Sequence, residues 1–247
     1  MTLEAELMEN CFRRDYPLTY THIDCRGLLR PGALFEIMQD AATQHADLLQ
    51  IGAHDIGALW VLSRLRVQLD RPLRAGEILS LTTWCAGLKG ATWLRGFRFQ
   101  VNGEPVGQAI SAWVVLDPES RRLLRPDAVS ASAHYQNAPQ TGGMKAPCKL
   151  RLPADAFHHV HTVRYSDMDV NRHLNNAKIV DIISDALELE RRTDDFLSSL
   201  QVNYTAESVA GDELSLYTGE AGGTWAVRGI CGEAERFEAA AVFTSVP

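Results

Sequence analysis

The sequence lacks the features that most directly assign a protein to a function class. Its net charge is −7, and without an excess of positive charge we do not expect broad nucleic-acid binding, since phosphate contacts need a basic face. It has no Walker motif and no GxGxxG motif after a predicted strand, so nothing supports a nucleotide cofactor. No apolar run reaches the roughly 18 residues of a membrane helix, and the acidic first residues have no signal-peptide pattern. We therefore expect a cytoplasmic protein without a membrane span.

Cysteine is scarce, and its positions form no pattern. The five cysteines are Cys11, Cys25, Cys85, Cys148 and Cys231. Their odd number and scatter argue against a disulfide framework, and no CxxC spacing indicates a metal site. His158, His159 and His161 lie close together, but no Cys or carboxylate stands at ligand spacing, so the zinc signal is weak. We expect a reducing compartment, no metal and no cofactor.

One stretch, Val163–Leu187, joins a polar cluster to an apolar helix. Apolar residues recur there with the period of a helix that buries one face. They are Ile179, Ile182, Ile183 and Ala186. Asn175 stands where this helix should begin, and asparagine is a favoured N-cap because its side-chain oxygen accepts from the first turn. The pattern predicts a helix that Asn175 caps.

Asp169, Asn171 and His173 occupy alternate positions just before that helix. In an extended approach all three side chains would point to one side, beside the positive end of the helix dipole. A single Asp, Asn or His near a helix start is more often a cap or turn residue. The complete spacing instead indicates a place that can polarise a carbonyl group.

The pattern of this stretch also occurs earlier, in Tyr20–Ala42, at an offset of 145 residues such as that between Tyr20 and Tyr165. Pro31 supports a helix start there, since proline suits the first helical position. After each helix, matching segments begin at Val67 and Val202, an offset of 135 residues. We call the half of the chain that contains Tyr20–Ala42 the first copy and the half that contains Val163–Leu187 the second copy. Their presence indicates a duplicated fold.

Both copies continue with predicted strands. In the first copy, Trp93, Arg95, Phe97, Phe99 and Val101 alternate with other residues up to Asn102-Gly103, a tight-hairpin dipeptide. Further strands are predicted at Gln108–Leu116, Glu213–Thr218, Thr224–Cys231 and Arg236–Thr244. One helix followed by an antiparallel meander, taken twice, predicts an α+β fold.

The segments DMDVNRHLNNAK, ALWVLSRLRVQLDRPLRAGEILSLTTW and SAWVVLDPESRRLLRP are similar to acyl-acyl carrier protein (acyl-ACP) thioesterases of plant and bacterial type. The resemblance covers nearly the whole chain. It implies two tandem hotdog folds, each a long helix wrapped by an antiparallel sheet, and hydrolysis of acyl-ACP to free fatty acid in fatty acid biosynthesis. The boundaries that follow are 1–130 for an N-terminal hotdog that forms the acyl pocket, 131–157 for a linker and 158–247 for a catalytic C-terminal hotdog.

The resemblance also implies a site. Members of the family carry a carboxylate on the strand after the second helix, which is Glu207 here, and plant members follow it with Cys where this chain has Ser208. Glu207 or His173 can be the base for water, Asn171 can bind the carbonyl or the water, and Asp169 can orient Asn171 or His173. Asn175 is a substrate-binding candidate, and backbone N–H groups at the helix start can receive the oxyanion.

In the first copy Asp24 matches Asp169, but the other candidate positions differ. The replacements are Arg26 for Asn171, Leu28 for His173, Arg30 for Asn175 and Pro72 for Glu207. One active site per chain therefore follows, and Asp24 is expected to be a turn residue.

The first copy is then free to line the acyl pocket, for which Trp60 and Leu62 are candidates, although core packing is an equal alternative. Arg121, Arg122 and Arg125 are either a solvated turn or a docking patch for the acidic carrier protein. Two other functions stay open: a coenzyme A thioesterase on the same fold and a non-catalytic acyl-binding protein. The chain is expected to be a monomer or a homodimer.

Overall fold

The computed structural model describes residues 11–136 and 143–246. The helices are α1 (Pro31–Leu48), α2 (Ala53–Ile56), α3 (Ser132–Gln136) and α4 (Asn176–Ala186). The strands are β1 (Cys11–Pro17), β2 (Leu59–Leu69), β3 (Ile78–Lys89), β4 (Thr92–Val101), β5 (Glu104–Leu116), β6 (Ala156–Thr162), β7 (Asp195–Tyr204), β8 (Glu213–Ala221), β9 (Thr224–Cys231) and β10 (Ala234–Ser245). The predicted α+β class is confirmed.

Two compact units divide the chain. The first unit contains the segment that ends at Tyr16, together with Ile37–Arg66 and Ile78–Pro147. The second unit contains Pro17–Glu36, Val67–Glu77 and Cys148–Pro247. The units are therefore not identical with the two sequence copies, because two segments of the first copy belong to the second unit. The boundaries 1–130, 131–157 and 158–247 stay a prediction.

Both copies arrange their strands in the same order. In the first copy the neighbours along the sheet are β1, β3, β4, β5 and β2, and in the second they are β6, β8, β9, β10 and β7. The ends of β2 and β7, Leu69 and Tyr204, are 135 residues apart, and so are the starts of β3 and β8, Ile78 and Glu213. The predicted duplication is thus a duplication of topology.

The long helices begin where the sequence predicts. Pro31 is the first residue of α1. Asn175 caps α4, and its side chain accepts a hydrogen bond from the Ala177 N–H at 2.8 Å. The four apolar residues with helical spacing in α4 are buried, and this helix contacts β6 and β8. Burial of the apolar stripe against the sheet holds the capped end of α4 in place.

The hairpin between β4 and β5 also agrees with the sequence. Asn102 and Gly103 join the strands with φ values of 54° and 82°, the left-handed pair that a two-residue type I′ turn needs. The alternating residues of β4 are all buried: Trp93, Arg95, Phe97, Phe99 and Val101. One member of this buried row is therefore a charged residue.

Part of the predicted linker 131–157 is ordered structure. Ala131 is buried, and Tyr135 of α3 is buried among apolar residues of the first unit. Residues 137–142 of the linker lie outside the described residues.

No helix in residues 11–136 and 143–246 is both long and apolar enough to cross a membrane.

Candidate active site

The loop before α4 is closed by one carboxylate. Asp169 Oδ1 accepts from the backbone N–H of Asn171 at 2.8 Å and from that of His173 at 3.1 Å. The Asp169 N–H donates to the His173 carbonyl at 2.8 Å, and Arg172 takes a φ of 62°. The prediction of an extended approach is therefore wrong, because a side chain that accepts from two following N–H groups bends the backbone into a turn.

The loop brings His173 to Glu207. His173 Nε2 lies 3.4 Å from Glu207 Oε2, and the two side chains are 27% and 48% exposed. The Leu174 N–H donates to the Ser208 carbonyl at 2.8 Å, which fixes the Glu207 segment beside the loop. The pair is open to solvent, so water can reach a carboxylate and an imidazole that touch each other.

Glu207 does not lie on a strand, which corrects its predicted placement. Strand β7 ends at Tyr204, and the N–H groups of Thr205 and Ala206 both turn to the Arg236 carbonyl, at 2.9 and 3.3 Å. The chain thus leaves the strand ladder before it reaches Glu207. This turn, and not the strand, sets the direction of the Glu207 side chain.

Two residues that the sequence analysis did not single out support this arrangement. Arg236 Nη1 donates to the Glu207 carbonyl at 2.9 Å, and Arg236 Nη2 lies 3.8 Å from Asp212. Asp167 accepts from the Arg164 N–H at 2.8 Å, lies 3.1 Å from His161 Nε2, and accepts the Asn175 N–H at its carbonyl. Asp167 is the first residue of the DMDVNRHLNNAK segment, and Arg236 lies far along the chain from it; only the three-dimensional setting of each residue reveals this contact with the loop.

The remaining polar candidates differ in their availability. The Asn171 side chain is exposed, and its Nδ2 lies 3.5 Å from Asp169 Oδ2. Asn175 uses its amide oxygen for the cap, which leaves its amide N–H₂ group as a donor. Ser208, at the position where plant members carry Cys, is buried, and its hydroxyl has no partner within the described part of the chain. A donor for a carbonyl oxygen can therefore come from Asn171 or Asn175.

Tyr204, the last residue of β7, holds the first turn of α4 by a hydrogen bond. Its hydroxyl donates to the Asn176 carbonyl at 3.3 Å. Burial raises the pKa of this phenol, so the hydroxyl stays protonated and remains a donor. Tyr204 thereby supports the first turn of α4 from β7.

The three histidines on β6 have different partners. His158 and His159 share a hydrogen bond between their Nδ1 atoms at 2.6 Å, while His161 faces Asp167. Within residues 11–136 and 143–246 no three His, Cys, Asp or Glu side chains are grouped in a way that could hold a metal ion.

The first unit contains a cavity of about 250 Å³. Trp60 lines it; its ring contacts Trp93 edge to face at 5.1 Å, and its Nε1 donates to the Ile51 carbonyl at 2.9 Å. Leu62 is buried but is not one of the lining residues. Trp60 thus has the setting of a pocket residue, and Leu62 that of a core residue.

The three arginines lie in and just after the turn that follows β5. Arg121, Arg122 and Arg125 are exposed, and Arg121 takes a φ of 56°. Asp117 closes the turn by accepting from the Ser120 N–H and hydroxyl, both at 2.7 Å, and these hydrogen bonds lower the pKa of its carboxyl group. A rigid turn therefore presents them to solvent.

Two family models match the chain. The acyl-ACP thioesterase N-terminal domain matches residues 9–130, and the acyl-ACP thioesterase C-terminal domain matches residues 151–238.

The chain is also similar to curated proteins, at low sequence identity. A palmitoyl-acyl carrier protein thioesterase of Cuphea hookeriana is 25% identical over 215 residues, which are 79% of this chain and 51% of the relative. An acyl-[acyl-carrier-protein] hydrolase of Cuphea viscosissima is 30% identical over 159 residues, which are 60% of this chain and 38% of the relative. The chain thus spans about half the length of the curated relatives it matches.

Solved structures share the fold over nearly the whole chain. An acyl-ACP thioesterase of Bacteroides thetaiotaomicron superposes with a TM-score of 0.87 at 24% identity and covers 99% of this chain and 100% of its own. A 12:0-ACP thioesterase of Umbellularia californica gives 0.81 at 23% identity, with 95% and 97% covered. The predicted tandem hotdog fold is confirmed.

Proposed function

Because the chain belongs to the acyl-ACP thioesterase family, we propose that it hydrolyses the thioester of acyl-ACP and releases a free fatty acid. The observation that carries this proposal is the contact of His173 with Glu207 at 3.4 Å, beside a loop that also presents Asn171. Hydrolysis of a thioester needs a base for water and a donor for the developing oxyanion. Among the described residues, the loop of the second copy presents both, and the matching loop of the first copy has Arg26 and Leu28 in place of Asn171 and His173.

The reaction begins with a water molecule beside the His173 and Glu207 pair. Glu207 or His173 removes a proton from this water as its oxygen attacks the thioester carbon. Negative charge develops on the carbonyl oxygen, where the Asn171 or Asn175 amide and the N–H groups at the start of α4 can donate. The carbon–sulfur bond then breaks, the proton passes to the leaving thiolate, and the fatty acid departs.

Asp169 acts as a positioning residue in this scheme. Its Oδ1 already accepts from two backbone N–H groups of the loop, and its Oδ2 faces the Asn171 amide. A carboxylate bound in this way fixes the backbone of Asn171 and His173 and does not need to touch the substrate. Direct attack by Asp169 would require it to give up these bonds.

The first copy supplies the remaining parts of the proposal. The cavity beside Trp60 takes the acyl chain, while Leu62 is buried without lining the cavity. Arg121, Arg122 and Arg125 form a basic docking patch for the acidic carrier protein.

A cytoplasmic role in fatty acid biosynthesis agrees with five cysteines that are all unpaired.

The test is hydrolysis of matched acyl groups on carrier protein and on coenzyme A by the purified protein. We expect the carrier substrate to have the higher kcat/KM, and Glu207→Gln to abolish both reactions. A higher kcat/KM for the coenzyme A substrates would replace the carrier by coenzyme A. Tight binding of acyl groups without hydrolysis would instead assign a non-catalytic acyl-binding protein.

A further inference from the structure

Arg95 is a buried charged residue in the wall of the first unit's cavity. It lies on β4 in the inward row between Trp93 and Phe97, and only 4% of it is exposed. It lines the cavity together with Trp60, Trp113 and otherwise mainly uncharged residues. A guanidinium stays charged at any physiological pH, so the cavity has a permanent cation in its wall.

The partners of Arg95 are neutral. Its Nη1 lies 2.8 Å from His45 Nδ1 and 3.3 Å from Thr83 Oγ1, and it also interacts with the phenol of Tyr135. Because a guanidinium can only donate, His45 Nδ1 must be the acceptor, and the ring proton then sits on Nε2. Within the described ranges no Asp or Glu forms an ion pair with Arg95, although Asp47 also lines the cavity.

His45 does not add a second positive charge beside Arg95. Burial and the adjacent Arg95 lower the pKa of His45 to about 3. It therefore remains a neutral acceptor at neutral pH, and the charge of the cluster is that of Arg95 alone. A buried charge without a counter-charge is costly, and apolar residues of similar volume usually serve a core better.

An unsubstituted hydrocarbon tail in this cavity would increase that cost. It would displace water from the guanidinium and offer no acceptor in return. A tail with an oxygen atom at this depth would accept a hydrogen bond that is strengthened by the charge of Arg95. The cavity wall thus favours a chain that is polar at one point.

We propose that this cavity binds an acyl chain that carries an oxygen acceptor remote from the thioester, as a hydroxyl, keto or carboxyl group, and that Arg95 donates to that oxygen. The proposal rests on the proposed function in so far as the acyl chain is the substrate. It makes Arg95 a specificity-determining residue and names oxygenated acyl groups as the substrate class.

The test uses pantetheine amides of fatty acids, because an amide in place of the thioester is not hydrolysed and carries no carboxylate of its own. Octanoyl, dodecanoyl and hexadecanoyl amides are compared with their forms that carry a hydroxyl or keto group at a middle carbon or a hydroxyl or carboxyl group at the last carbon. Binding is followed by the fluorescence of Trp60 and Trp113 and by calorimetry. At one chain length or more, we expect the best oxygenated form to bind at least about tenfold more tightly than its unsubstituted match.

Two variants assign the preference to Arg95. Arg95→Met should remove it, whereas Arg98→Met, on the other face of the same strand, should keep it. Arg95→Lys, which retains the charge, should keep part of it if the methionine variant does not fold. A carboxyl form that binds best marks an anionic ligand, and a hydroxyl or keto form that binds as well marks a neutral one; both support the proposal.

Two results would overturn it: unsubstituted amides that bind as tightly as every oxygenated form in the wild-type protein, or a preference that survives in Arg95→Met. Failure of the proposed function looks different. A protein that prefers oxygenated amides but hydrolyses no acyl thioester would contradict the enzyme and leave the binding site. Hydrolysis of all chains without any preference would contradict only the binding site.

Discussion

The two loops that precede the long helices have the same backbone and different chemistry. In the first copy Asp24 accepts from the N–H groups of Arg26 and Leu28, at 2.9 and 3.0 Å, as Asp169 does for the two residues that match them. The bond from the Asp N–H to the carbonyl four residues later is 2.8 Å in both loops. Gly27 has a φ of 78° where Arg172 has 62°. The aspartate is therefore a part of the loop architecture, whether or not the loop carries a site.

The side chains around the two aspartates differ. The Arg26 guanidinium lies 3.0 Å from Asp24 Oδ2 and also donates to the Arg192 carbonyl at 3.0 Å. Leu28 and Pro72 line a small apolar pocket of about 40 Å³, where the second copy has His173 and Glu207. The two loops thus share the aspartate that accepts from the backbone and differ in the side chains around it, so any difference in activity between the copies is expected to come from those side chains.

The largest effect is expected from Glu207→Gln, which should leave the second copy as inactive as we expect the first to be. The change removes a base and keeps the shape of the side chain. We expect kcat for acyl-ACP hydrolysis to fall by roughly 10²–10⁴-fold, with the melting temperature unchanged. Wild-type turnover at saturating substrate would remove Glu207 from the site.

Substitution of the two aspartates should affect different properties: stability for Asp24 and activity for Asp169. Asp24→Asn leaves the nearly buried Arg26 without its carboxylate, so the free energy of unfolding should fall by roughly 3 kcal/mol, while kcat per folded molecule changes little. Asp169→Asn should lower kcat by about 100-fold through misplacement of Asn171 and His173 and cost less stability. Chemical denaturation and kinetics on both variants test this. Equal losses of activity at unchanged stability would contradict a single site.

Acid should destabilise the protein through His45, a buried histidine of the first copy. The pKa of His45 is about 3 in the folded chain and near 6.5 when unfolded. The unfolded chain therefore binds the extra proton, and this stabilisation is complete above pH 6.5 and lost as the pH falls towards 3. The slope is at most about 1.4 kcal/mol per pH unit.

His45→Gln isolates this contribution, because glutamine does not titrate. The difference in unfolding free energy between wild type and variant should shrink as the pH falls from about 6.5 to about 4. Parallel pH profiles of the two proteins would show that His45 is not held neutral.

The smallest effect is expected at the turn that follows β5. Replacement of Arg121, Arg122 and Arg125 by alanine should raise KM for acyl-ACP severalfold at low salt and less at high salt, since exposed charges are screened. KM for an acyl-coenzyme A substrate is the control and should not change. Equal changes with both substrates would argue against docking at this turn.

The sequence predicted most of the fold because its signals are local. The helix starts at Pro31 and Asn175 and the hairpin at Asn102 each depend on residues near one another in the chain, and the repeat is a second occurrence of such local patterns 145 residues later. Burial along β2 is irregular: Leu62, Leu65 and Val67 are buried, whereas Val61 and Ser63 are only partly so. Burial in a strand depends on which element covers each face, and sequence alternation alone does not contain that information.

Sequence reasoning named candidate site residues, which stay a prediction, but it did not give the shape of the loop that carries them. Asp169, Asn171 and His173 were expected in an extended segment, because alternation cannot reveal that one carboxylate closes the loop. Arg236 was not singled out, since it lies far along the chain from the loop it supports. Arg95 was recognised only as a member of an alternating row, and the cavity beside it is a property of the folded chain.

The central claim is that Asp169 holds its loop, as Asp24 does, and does not attack the thioester. Single-turnover hydrolysis of acyl-ACP in ¹⁸O-water, with enzyme in excess, gives the answer when the fatty acid and the Asp169 peptide are both weighed by mass spectrometry. Attack by water at the thioester carbon puts the label into the fatty acid, leaves the peptide unlabelled and gives no acyl-enzyme for hydroxylamine to trap. Label on Asp169, or a hydroxamate formed at that residue, would show a covalent intermediate and contradict the account.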